Sequence, residues 1–136
     1  MRRARDERER PDPSDTAADA AASEALAAEV LAAVTAADVD RLIRAVGPQP
    51  RITVDSGQEQ DGAGWPLLLR ALGFAAPARP AWRLRSVNGG PALVGSRERS
   101  VVVVVVLAGA VGAATDVWIV TNPDKLRQWS VWFLEG

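Results

Sequence analysis

Asp55, Glu98 and Asp116 are the candidate general bases of this 136-residue sequence, and the chemistry they suggest is proton abstraction in a small pocket. Asp116 alternates with Trp118 and Val120, so the three share one face of a strand. If that face lines a pocket, Asp116 is a perturbed acid beside an aromatic wall. If it faces water, Asp116 is an ordinary strand residue. Trp82 lies on another strand-like segment and is read either as a sheet-packing aromatic or as a ligand platform. Trp82, Asp116 and Trp118 are therefore the candidate pocket residues.

What surrounds these acids weakens the catalytic reading. The sequence has no His, no Tyr and no Cys. Proton transfer near neutral pH loses its best side chain, and thiolate catalysis and disulfides are excluded. A lone carboxylate without an oxyanion partner is a poor case for catalysis. No ligands cluster for a metal either. The expectation is a chain with no catalytic residue, no cofactor and no metal.

Net charge is −1 but unevenly spread. Residues 1–10 carry five Arg against three acids, 11–40 carry seven acids and no base, and the remainder is net positive by four. Such a field orients partners but is too mixed for a nucleic-acid footprint, so no direct DNA binding is expected. The apolar stretch 101–114 falls short of the ~20 residues of a membrane helix, and the Arg-rich start precedes acids and Pro instead of an apolar signal. A cytoplasmic protein is expected, with no membrane contact.

The charged, Pro-containing residues 1–13 read as a tail or linker remnant, and 14–136 as one domain. Ser14 to Thr16 can cap a helix over 15–34, in which Leu26, Val30 and Val34 recur on one face. Thr35 with Asp38 offers a second cap for a helix over 36–46, with Leu42, Ile43 and Val46 inward and Gly47-Pro48 as its end. A third helix over 63–73 starts near Gly64, because Pro66 is tolerable only in a first turn.

Strands are expected at 51–55, 82–87, 92–95, 100–108 and 115–121, with a hairpin at Asn88-Gly89 and a turn over 109–112. The valine run from Val101 reads as a central strand buried on both faces. Helices first and an antiparallel meander second spell an α+β fold, with helices packed on one face of a curved, mainly antiparallel sheet. Trp129 and Trp132, with Phe133, recur at near-helical spacing in an apolar tail that either folds back or docks on a partner.

Two motifs bracket the valine run: Asn88-Gly89-Gly90-Pro91 and Asn122-Pro123-Asp124-Lys125-Leu126. Together they resemble the C-terminal SnoaL-like domain, of the nuclear transport factor 2 fold, in a group of extracytoplasmic-function-type bacterial sigma factors. Leu31 to Val34 and Asp38 to Leu42 look like that family's opening helices, and Arg2-Arg3-Ala4-Arg5 like the tail of its promoter-reading helix. Ile52-Thr53-Val54-Asp55-Ser56-Gly57 falls where the family carries a strand ending in an Asp-Gly-Gly-Gly-Lys loop.

The resemblance implies a cone-shaped α+β domain that regulates transcription initiation without catalysis. It implies contacts with the sigma core at the loop holding Asp55, Ser56, Gly57 and Glu59; beside that loop, Asn122, Pro123, Asp124, Lys125 and Leu126, and Trp129 and Trp132 of the tail, are further candidate contact residues. The expected partners are a sigma factor or RNA polymerase, a second copy of the chain, or a small apolar ligand. A pocket protein or enzyme of the polyketide cyclase or ketosteroid isomerase type is the alternative.

Two departures stand out. The sigma regions themselves do not occur in this sequence, so a free-standing or truncated relative is expected. The loop keeps only Asp55 and Gly57, and Glu59 inverts the charge of the family's Lys. Pro123 ends its strand for want of an N–H. Asp124 is expected to cap the segment after it, and Lys125 to face solvent unpaired.

Overall fold

The computed structural model describes residues 13–56, 64–74, 79–87 and 89–135. Helix α1, Pro13–Thr35, runs through the alanine-rich segment. Its Leu26, Val30 and Val34 line one face and are buried, joined by the small Ala27 and Ala33, which let the helix sit close to the sheet. The tail at 1–12 and the side chains of Ser14 to Thr16 lie outside the described residues.

Helix α2, Val39–Val46, starts later than the sequence suggested, because Asp38 and not Thr35 is its cap. The Asp38 carboxylate accepts a hydrogen bond from the Arg41 N–H at 3.0 Å. Leu42, Ala45 and Val46 are buried, whereas Ile43 is 45% exposed. The helical period explains that correction: positions three and four after Leu42 share its face, and Ile43 turns away. Gly47 closes α2 with its N–H bonded to the Ile43 carbonyl.

Arg41 also ties α2 to α1, donating from Nε and Nη2 to the two Glu29 oxygens at 2.5 and 3.2 Å. This hydrogen bond, assisted by the Arg41 charge, holds the Glu29 carboxyl below its ordinary pKa of 4.5. The contact therefore contributes stability above that pH and loses it as the pH falls through the lower folded value. Glu29→Gln is expected to flatten the dependence of Tm on pH below about pH 4.5. Thermal melts between pH 3 and 6 check this, and an unchanged slope would show that the pair does not link stability to pH.

Strand β1, Arg51–Asp55, is followed by α3, Gly64–Ala71, with Pro66 in its first turn. Strands β2, Ala81–Val87, β3, Gly90–Arg97, β4, Ser100–Ala110, and β5, Ala113–Val120, come next, and α4, Pro123–Glu135, comes last. The sheet order is β1-β5-β4-β3-β2. Three pairings are antiparallel, and β1 runs parallel to β5 with Asp55 opposite Val120. The result is an α+β fold with a mixed sheet that does not close into a barrel. Among the described residues no helix is long and apolar enough to cross a membrane.

The valine run is the middle strand. Val104 and Val105 are both fully buried, and as neighbours they face opposite sides of the sheet. Removing each from water contributes up to ~1.5 kcal/mol. Leu93, Val105, Leu107, Val117 and Ile119 pack under α1, α2 and α3. Ala92, Val94, Val104 and Val120 form a separate core on the opposite face, closed by Leu126 and Trp129 of α4. Helices thus cover both faces, not one: the apolar tail folds back as α4.

Two irregularities shape the sheet. Between Gly95 and Ser96 the β3–β4 register shifts, so Val102 and Val103 both turn toward the α1–α3 side. Near the far end of β4 a second shift places Gly109 inside the strand, and the turn is the shorter Val111-Gly112.

Candidate functional site

Asp55 ends β1, and Asn122 lies just past the end of β5, so the parallel pairing brings two segments distant in sequence to one corner. The Asp55 carbonyl accepts hydrogen bonds from the N–H groups of Thr121 and Asn122 at 2.8 and 3.0 Å. Its carboxylate accepts from Asn122 Nδ2 at 3.3 Å and from Lys125 Nζ at 2.5 Å. The same Nζ sits 5.5 Å from the centroid of the Trp118 ring, within range of a cation–π contact.

Asn122 is the cap of α4, in place of Asp124: its Oδ1 accepts from the Asp124 N–H at 3.1 Å. Pro123 takes the first helical position, where a missing N–H costs nothing. Asp124 instead pairs with Arg127 at 2.6 Å, on the exposed side of the helix. Lys125 is not unpaired, since the parallel β1–β5 register places the Asp55 carboxylate within its reach; its side chain remains 45% exposed beside that partner. Leu126 is corrected from a contact residue to a core residue, because one face of α4 must cover Val104 and Val120.

Ser56 leaves β1 in a half-buried bend. Gly57 and Glu59 lie outside the described residues, as does the Trp132 side chain, although its backbone belongs to α4. Trp129 is half-buried against the sheet. The corner therefore presents Asp124, Lys125 and Arg127 outward over an internal clamp made by Asp55 and Asn122.

A cleft of about 320 Å³ opens beside this corner on the sheet face that carries α3. Val54, Ile119 and Thr121 form its floor, Leu67 and Arg70 of α3 one wall, and Arg97 at the end of β3 another. Its described lining is mostly apolar and holds no carboxylate.

None of the three candidate pocket residues lines it. Asp116 is exposed, and Trp118 packs beneath α4, because Asp116, Trp118 and Val120 all point to the opposite face. Trp82 lies across Gly95, where an added Cβ would come within 3.0 Å of the indole, so the ring fills space as packing. Its Nε1–H is buried with no hydrogen-bond partner among the described residues. Glu98 sits exposed in the β3–β4 turn. Among the described residues no three acids cluster to hold a metal ion.

No protein-family model matches this chain, and no curated protein matches it.

Proposed function

We propose that this chain is a non-catalytic regulatory module of transcription initiation, related to the C-terminal SnoaL-like domain of sigma factors. It acts in the cytoplasm by binding a sigma factor or RNA polymerase. The observation that carries this reading is the meeting of Asp55 with Asn122 and Lys125, pairs 67 and 70 residues apart in the chain. The first segment falls where the resemblance implies a contact loop, and the second carries the Asn-Pro-Asp-Lys-Leu motif on which the resemblance rests. Their convergence on one exposed, charged corner makes a single binding surface of two sequence motifs.

A small-molecule pocket is the second reading, supported by the cleft beside that corner. The two readings are compatible, because Val54 and Thr121 line the cleft while Asp55 and Asn122 build the corner. Catalysis of the cyclase or isomerase type has less support, since the described lining offers no base.

Pull-down of the tagged chain from a bacterial lysate, probed for polymerase subunits and sigma factors, tests the first reading. Enrichment that falls with added salt is expected, as for a partly electrostatic surface. Absence of every sigma factor and every polymerase subunit from the eluate would overturn it.

A further inference from the structure

Arg70 and Arg97 are the only charged residues in the described lining of the α3 cleft, and they reach it from different elements. Arg70 comes from the last turn of α3. Arg97 ends β3, where the bulge after Gly95 has already turned Val102 and Val103 toward the same space. The two-residue turn after Arg97 is strained: Glu98 and Arg99 have φ of 50° and 66°, values that such turns ordinarily give to Asn or Gly. The tight hairpin pairs Arg97 with Ser100 and so fixes where Arg97 leaves the sheet.

Two guanidinium groups at the edge of an apolar cleft define a ligand class. A guanidinium is a planar fork that matches a carboxylate, and it stays charged at any physiological pH. Both arginines are exposed at the cleft mouth, where they can meet an anionic head while the apolar walls cover its body. Arg97 already makes a contact within the chain, but five N–H donors leave room for a second acceptor. Val54, Leu67 and Ile119 would cover an apolar body. A volume of about 320 Å³ lies at the small end of the ~300–1,000 Å³ typical of ligand sites, so the body is short.

We propose that this cleft binds a small organic carboxylate, its head between Arg70 and Arg97 and its apolar body against Val54, Leu67 and Ile119. This deepens the pocket reading by naming its ligand class. It does not depend on any partner at the Asp55–Lys125 corner.

The test displaces 8-anilinonaphthalene-1-sulfonate, an anionic dye with an apolar body, by octanoate or by uncharged 1-octanol. The full chain is expected to bind the dye saturably, and octanoate to displace it at least tenfold more effectively than octanol. Arg70→Gln, alone and with Arg97→Gln, is expected to erase that preference while leaving octanol unaffected. Arg70→Lys is expected to keep part of it, and circular dichroism checks that each variant is folded. No saturable dye binding, equal competition by the two octyl compounds, or a preference that survives in the double variant would each overturn the proposal. Neither sigma factor nor polymerase enters this experiment, so its failure leaves the regulatory reading standing.

Discussion

Gly47→Ala is expected to destabilise the chain by about 2–5 kcal/mol, the sum of backbone strain and overpacking. Gly47 has φ of 85° and ψ of −177°, a combination that essentially only glycine adopts. An added Cβ would also collide with the Gly112 carbonyl oxygen, and that obstacle is backbone, not a flexible side-chain tip. The approach is close because the Gly112 N–H donates to the Ala45 carbonyl at 2.6 Å, joining α2 to the β4–β5 turn. Relief on one side would break that hydrogen bond on the other. Urea unfolding measures the loss, and a change below about 1 kcal/mol would mean that the α2–turn junction relaxes freely.

The second large effect is at Leu126, where Ala should cost about 2–4 kcal/mol, as for other buried leucines. Leu126 is 7% exposed and inserts among Val104, Val120 and their neighbours. Its loss would leave a cavity under the first turn of α4, the turn that holds Asn122 and Lys125 over Asp55. Hydrogen exchange is expected to rise in α4 amides and hardly at all in α1, which packs on the opposite face. Ser130 gives a local check. Its hydroxyl accepts from the Val101 N–H at 2.9 Å and donates to the Leu126 carbonyl at 2.8 Å, so Val101 should lose protection with the helix. If α4 exchanges as in the wild-type chain, Leu126 is not what fastens it.

What the sequence made legible was local. The spacing of Leu26, Val30 and Val34 named the buried side of α1, and β-branching with Asn88-Gly89 placed the strands and one hairpin. The valine run read correctly as the middle of the sheet, because only a strand covered on both sides tolerates so many apolar neighbours. Ile43 misled because the spacing of 42, 43 and 46 suits one helix face, whereas the docked face is centred on Leu42 between Ala45 and Val46 and leaves Ile43 at its edge.

The corner was legible only as two separate motifs. Nothing in local patterning reports that β1 pairs in parallel with β5, and that pairing alone carries Asp55 to Lys125. The same non-local register hid the faces. Asp116 and Trp118 were rightly placed together, yet which side of the sheet held the cleft depended on where α3 and α4 docked. Arg70 and Arg97 carried no motif at all. Their signal is spatial, two cations from elements far apart in the chain on one apolar cleft, and it exists only in the fold.

Exchanging the two charges of the corner is the sharpest test of the proposed regulatory contact. In the Asp55→Lys, Lys125→Asp variant the ion pair can re-form inside the molecule with its polarity reversed. The wild-type and exchanged chains would be titrated against the sigma factor or polymerase holoenzyme recovered with the wild type, at low and high salt. The expected result is a folded variant, its Tm within a few degrees of wild type, that binds at least tenfold more weakly at low salt. The gap should narrow as salt screens the surface. A folded variant that binds like wild type at both salt concentrations would contradict the claim that this corner is the regulatory contact.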